Sequence, residues 1–423
     1  MSSPLSTALL PSTRREFLNY SSRGIGLLAF SQFAPSFLVQ SAQAQSPAPE
    51  KDRRILVLVQ LAGGNDGLNT LVPFEDANYY RLRPVIGLPK DKVLKVSDTH
   101  GLHPSMTAMQ NLLKDGKLGI VQNVGYPNPN RSHFRSTEIW ETASASSEFT
   151  STGWVGRYLD NVCSGAPADQ HDPVAIHITS GLPPSLVGEQ SHPSFGLLPN
   201  GANRRETEET RNLLESIATA PLAADDSASF LKHTFMDTLV TEKRVQKFIG
   251  DYKPDKPYPG STFAASLRNV AALIAAGLPT RVYFVSLSGF DTHSNQLGQQ
   301  ANLLTVLSEG LAAFQHDLEA HKLDGQVTTA TFSEFGRRPS ENESRGTDHG
   351  TAAPLFVMGS SVKAGLHGTP PTLDLARNQD LTYTTDFRSV YATLLDRWMG
   401  CPSEPVLGGN FARLDLLAGA GVT

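Results

Sequence analysis

Apolar residues gather along this chain in short runs, separated by stretches rich in glycine, proline and charge. Four of the runs each meet a short motif of Asp, Glu or His. Ile55-Leu61 leads into Gly63-Gly64-Asn65-Asp66-Gly67, Arg281-Leu287 into Gly289-Phe290-Asp291-Thr292-His293, and Gln326-Phe332 into Ser333-Glu334-Phe335-Gly336. The fourth is reversed: Gly346-Thr347-Asp348-His349-Gly350 stands ahead of Pro354-Gly359. Ile55-Leu61 is apolar at nearly every position, as a central parallel strand covered on both faces requires. Leu118-Val124 reads as a further apolar strand, and Val174, Ile176 and Ile178 alternate as in a half-buried one. Helical spacing appears over 104–114, from Arg131 to about Thr142, over Thr262-Ala276, along Leu304, Leu307, Leu311, Phe314 and Leu318, and over Asp386-Trp398. Strand and helix patterns alternate, which predicts an α/β fold with a mostly parallel sheet and helices on both faces. From about Gly181 to Pro259 the alternation breaks. Loop residues there precede two amphipathic stretches, 204–218 and 227–249, which read as an insertion or cap over the core.

The N-terminus adds an address. Thr13-Arg14-Arg15-Glu16-Phe17-Leu18 is a twin-arginine export motif, followed by an uncharged, moderately apolar stretch and a small-residue cleavage site at Ala42-Gln43-Ala44. The expected boundaries are a signal peptide over 1–44, a Pro- and charge-rich linker over 45–54, and a single α/β domain over 55–423. A membrane anchor is the alternative, but Ser31, Gln32 and Pro35 interrupt the run, which falls short of the ~20 residues a span needs. The mature protein is therefore expected in the periplasm or outside the cell, free of the membrane, with the twin-arginine machinery as its export partner. That route carries folded cargo, so a cofactor loaded before export is compatible with it. The only cysteines are Cys163 and Cys401, and no C-x-x-C occurs, which argues against iron–sulfur clusters and c-type haem. The 36 Lys and Arg against 41 Asp and Glu are spread without a basic stripe, so no nucleic-acid partner is expected.

Ligands of an open α/β sheet bind outside the carboxyl ends of its strands, so the four motifs are expected to converge on one rim. Asp, Glu and His gathered there are ligand types for a catalytic divalent metal. Asp66 reads either as a carboxylate ligand in a glycine-rich loop or as a helix cap. Asp291 and His293, two apart at a strand end, point to one side. Glu334 would complete a coordination sphere, and Arg337 or Arg338 behind it would bind an oxyanion or stay solvated. Of Asp348 and His349, His349 is the expected ligand. Ser132 opens a helical stretch and reads as a nucleophile whose anion the helix amides would support, or as an N-cap. His133 stands beside it, and His103 and His367 are further histidines with a structural alternative. No G-x-S-x-G elbow, G-x-G-x-x-G or G-x-x-x-x-G-K is present.

The leader with LAGGNDGLNTLVP, GLHP, RSHF, GWVGRYLD, GFDTH, SEFGRR, GTDHG and the DFRSVYATLL ending together resemble the exported bacterial domain-of-unknown-function family fifteen-oh-one, over nearly the whole mature chain. More distantly the chain is similar to the alkaline phosphatase and sulfatase superfamily. That resemblance implies a sheet carrying metals and a nucleophile on its strand ends. It implies Asp66 as the first-strand metal ligand, Ser132 as nucleophile, Asp291 and His293 as an Asp-and-His pair, Glu334 in place of a metal Asp, and His349 as the last metal His. Phe335 stands where the superfamily motif has a ligand His, and the 291/293 spacing is tighter than usual. One metal, or none, is therefore expected.

Two functional readings follow. The first is a metal-dependent hydrolase of a small anionic phosphate or sulfate ester, using zinc, manganese or calcium. Asp66, Asp291, His293, Glu334 and His349 would be ligands, Ser132 the nucleophile, Arg131 or Arg337 the neutralising cation, and His133 or His103 the proton donor. The second is a family member without chemistry that binds a periplasmic ligand or protein.

Overall fold

The computed structural model describes residues 53–162, 172–190, 192–199 and 241–418. The export motif, the cleavage site, Cys163 and the stretches at 204–218 and 227–240 lie outside the described residues. The chain divides into two compact units. One is Met1–Ser46 with Ala202–Asp251, of which a helix over 241–251 is described; the other, Pro47–Gly201 with Tyr252–Thr423, is the α/β body.

The body is built on a nine-stranded sheet. Its strands are β1 (Ile55–Ala62), β5 (Leu118–Gly125), β6 (Ala175–Ile178), β7 (Ser194–Leu197), β8 (Val282–Ser288), β9 (Val327–Phe332), β10 (Ala353–Met358), β11 (Gly365–His367) and β12 (Thr385–Asp386). The order is β11-β5-β10-β9-β1-β8-β6-β7, with β12 also paired to β5. β1 runs parallel to β8 and β9, β6 parallel to β8 and β7, and β11 and β12 parallel to β5. β10 runs antiparallel to both β9 and β5, the one reversed strand of this sheet among the described residues. Its beginning therefore lies at the edge where β1, β8 and β9 end. This is why the fourth motif precedes its apolar run while the other three follow theirs.

Both faces of the sheet are covered, as the near-continuous apolar runs predict. Leu56, Leu58, Phe284 and Phe332 join a core with Trp140, Trp154, Tyr391 and Trp398. In that core Trp140 stacks on Phe387 and Trp154 on Tyr391, with centroids 4.4 and 4.5 Å apart. The intervening Ile55, Val57, Val59, Tyr283 and Val285 are buried as well and point to the opposite face. The helix Thr262–Ala275 packs on β8 and against the long helix Gln296–Ala320.

Several expected elements shift. The helix expected over 104–114 begins only at Thr107. The helix opening at Asp386 is regular to Thr393 and then widens into a π turn over Leu394–Met399. β6 was expected half-buried, yet all four residues are buried, because His177 is also covered and bonds Thr179. The segment 194–197, read as loop, is the edge strand β7 beside β6. Between β1 and the helix Thr107–Lys114 lies a lobe that the pattern did not signal. It holds the three-stranded sheet β2 (Leu71–Val72), β4 (Gly101–Leu102) and β3 (Leu94–Lys95), with the helix Ala77–Leu82 and its own core of Val72, Phe74, Tyr79 and Leu82. Among the described residues no helix is long and apolar enough to cross a membrane. Cys401 is buried and free.

Candidate metal centre

Four side chains meet where β8, β9 and β10 bring their motifs to one rim. Asp291 Oδ1 lies 3.0 Å from His293 Nε2, 3.1 Å from His349 Nε2 and 3.5 Å from His133 Nε2. The His293 and His349 Nε2 atoms are 2.9 Å apart. His133, Asp291 and His349 form the group of potential metal donors among the described residues, with His293 at its edge. His133 is the first residue of the helix His133–Thr142, which follows the turn after β5. The sequence placed His133 beside the nucleophile, and the fold turns its ring into the cluster.

The outer nitrogens of two of these rings are already engaged. His133 Nδ1 lies 2.9 Å from Glu334 Oε1, and His349 Nδ1 lies 2.9 Å from the Arg131 carbonyl. Both partners are acceptors, so each ring offers a proton from Nδ1, and in the neutral form that leaves an Nε2 lone pair facing Asp291. Lone pairs and a carboxylate oxygen repel one another unless a cation or added protons lie between them. Imidazoles oriented from behind by a carboxylate or a carbonyl are the usual support of a metal site. The donor set therefore fits a divalent cation. Burial pushes the His349 pKa down, opposed by its hydrogen bond to Asp291, which favours the neutral ring that binds a metal. Burial works to raise Asp291, but the hydrogen bonds from Arg337 and His349 prevail and hold its carboxyl at about 2.

Glu334 sits behind the cluster, with Oε1 accepting from the Gly63 N–H at 2.8 Å as well as facing His133. Phe335 is buried beneath it, with ring centroids 5.0 Å from His133 and 4.6 Å from His349. An apolar floor thus lies beneath both imidazoles.

Asp66 and Arg337 lie elsewhere than a ligand and an exposed cation would. Asp66 is fully buried and gripped by Arg83 through both oxygens, at 2.7 and 2.8 Å, with Gln296 also donating to it. Arg337 is buried; it donates to the carbonyls of Gly63, Gly64, Phe290 and Thr347 and at 2.6 Å to Asp291 Oδ1. Ser132 is exposed at the N-cap of the helix His133–Thr142, and its side chain makes no capping bond. Arg131 is exposed and pairs with Asp380 at 3.1 Å. Arg338 is partly buried and turns toward the same Asp380 at 3.5 Å. His103 is buried; burial, opposed by the charge of Asp66, pushes its pKa down to about 4. His367 bonds the Lys363 carbonyl at the far strand β11. Arg83 and Gln296 had no sequence signal beyond their nearness to the lobe and to the GFDTH motif.

The glycines of the motifs serve close packing. A Cβ on Gly63 would stand 2.4 Å from the Asp291 nitrogen, and one on Gly346 would stand 2.3 Å from the His293 carbonyl carbon. Backbone meets backbone at both places, which locks the first and fourth motifs onto the second. Gly64 likewise leaves room for the Phe335 ring, and Gly67 for Pro354.

Among curated proteins, none matches this chain. Solved structures similar to it include the PsFucS1 sulfatase from Pseudoalteromonas sp., at 11% identity over 94% of this chain and 76% of that one, with a TM-score of 0.39. A protein in the alkaline phosphatase superfamily from Vibrio parahaemolyticus is similar at 9% identity over 81% and 70%, with a TM-score of 0.35. The zinc complex of the C-terminal periplasmic domain of EcEptC from Escherichia coli follows at 12% identity over 74% and 75%, with a TM-score of 0.34. One family model spans almost all of the α/β body, and by that match over residues 53–408 the chain belongs to the family described as Protein of unknown function (DUF1501).

Proposed function

We propose that this protein is an exported, metal-dependent hydrolase of phosphate or sulfate esters. The observation that carries the reading is the convergence of three imidazole Nε2 atoms on Asp291 Oδ1 at 3.0, 3.1 and 3.5 Å, beside the exposed Ser132. An imidazole-rich donor set favours zinc over calcium. A divalent cation there supplies polarisation of an ester oxygen and a lowered pKa for a nearby hydroxyl or water. The chain's own residues do the rest. With a cation bound, Glu334 and the Arg131 carbonyl would keep the protons of His133 and His349 on Nδ1, so that both rings present Nε2 lone pairs. The amides at the start of the helix His133–Thr142 favour negative charge at Ser132, the proposed nucleophile. Arg131 is the exposed cation nearest that end and is the proposed partner of the ester's free oxygens. Export rests on the twin-arginine motif and the Ala42-Gln43-Ala44 cleavage site.

The test is elemental analysis of protein recovered from the periplasm, followed by turnover of aryl phosphates and aryl sulfates with and without chelator. Stoichiometric zinc or manganese is expected. Asp291→Asn and His349→Ala are expected to lose the metal and at least about a thousandfold in turnover, the several kcal/mol that polarisation supplies. Full activity in both variants would sink the hydrolase, and a product retained in the cytoplasm with residues 1–44 attached would sink the export. A second reading, a binding module without chemistry, draws on the commitment of Asp66 and Arg337 to the interior. Stable metal with no turnover on any ester would favour it.

A further inference from the structure

Behind the rim lies a buried polar hub that touches three of the four motifs and the segment just after the other one. Gln296, fully buried, opens the long helix Gln296–Ala320. Its Oε1 accepts from Thr292 Oγ1 at 3.0 Å and from Thr347 Oγ1 at 2.6 Å, while its Nε2 donates to Asp66 Oδ2. Thr292 stands between Asp291 and His293, and Thr347 two residues before His349. Asp66 is fixed in turn by Arg83, which also donates to the carbonyls of Arg338 at 3.0 Å and Pro339 at 2.8 Å. One amide thus joins the GFDTH loop to the GTDHG loop and ties both to an ion pair anchored in the first motif and in the segment that follows the third.

We propose that Gln296, seated on the Asp66–Arg83 pair, is the positioning residue that sets the spacing between Asp291 and His293 on one loop and His349 on the other. The inference rests on the reading of the rim as a cation site. A metal site holds its donors to within about half an ångström, and two loops from different strands need a common reference to do so. A helix cap alone would satisfy the first-turn amides of its own helix; the Gln296 side chain instead spans three other segments. Thr347 Oγ1 and Thr292 Oγ1 converge on one carbonyl oxygen, so a shift of either loop is felt by the other. Asp66 thus acts on the site from behind.

The test compares Gln296→Met and Thr347→Val, both close in volume to the native residue, with a control of similar burial far from the rim. Thr393→Val serves: Thr393 is fully buried and its hydroxyl bonds the Ser389 carbonyl and the Leu414 N–H, at 2.7 and 2.8 Å. Zinc is titrated calorimetrically into cation-free protein, and the imidazole signals of His293 and His349 are recorded by NMR in the same metal-free samples. Gln296→Met and Thr347→Val are expected to weaken zinc binding by about ten- to a hundredfold, the usual cost of losing an outer partner of a metal ligand, and to move both imidazole signals. Thr393→Val is expected to lower Tm while leaving zinc affinity and those signals unchanged. Zinc affinity and imidazole signals in the two hub variants that match the control would overturn the inference. A wild-type protein that takes up no zinc or manganese would overturn the metal reading instead, and the imidazole signals would still decide the role of Gln296.

Discussion

Glu141 carries a charge problem that the rest of the helix His133–Thr142 does not share. It is buried at the back of that helix, with Oε2 accepting from the Ser185 N–H at 2.8 Å. Burial outweighs that hydrogen bond and raises its pKa from the ordinary 4.5 to about 7. The folded state therefore holds a proton that the unfolded chain releases at 4.5. Stability from this group is whole below pH 4.5 and drains away as pH rises to about 7, a loss of about 3 kcal/mol at most. Urea midpoints at pH 5 and pH 8 are expected to show it, and Glu141→Gln to flatten that part of the profile. An unchanged slope in the variant would assign the dependence to another group. The site residues were legible to different depths. Asp291, His293 and His349 announced themselves because each sits in a glycine-flanked motif abutting an apolar run. Asp66 announced itself for the same reason, but its partner Arg83 comes from a lobe whose strands are two residues long and leave no period to read. His133 was visible only as a neighbour of Ser132. Its turn into the cluster depends on Glu334, 201 residues away.

At the scale of elements, the rim is an assembly of loops pressed backbone to backbone. Gly63 has a φ of 120° and no room for a Cβ against Asp291. Gly63→Ala is expected to cost about 1–3 kcal/mol in overpacking alone, with added backbone strain, and to loosen Asp291 from the cluster. Denaturant unfolding together with zinc titration would measure both, and wild-type values in the two would refute the locking role. β1, β5, β8, β9 and β10 were legible because each is buried nearly throughout and six to eight residues long, enough to hold a run of apolar or β-branched residues. β7 shows only Phe195 as a buried apolar residue, and β11 and β12 are three and two residues long. Such strands are made by pairing with a longer neighbour, so composition alone carries no trace of them.

At the scale of the whole molecule, β10 is the sole link in the strand order between β5, with β11 and β12 beside it, and the block β9-β1-β8-β6-β7. The cluster straddles that seam. His133 comes from the β5 side, Asp291 and His293 from the β8 side, and His349 from the loop entering β10 itself. A cation held by all of them would act as a staple across this seam, and its departure would let the sheet open from the rim end. Amide exchange along Leu355–Met358 is therefore expected to quicken on chelation more than exchange in β6 or β8, and uniform quickening would contradict the staple. The reversed strand then has a mechanical consequence. A cation bound at the rim would make the lifetime of the folded protein depend on that ion, so that in a compartment poor in the metal the protein would come apart at this seam.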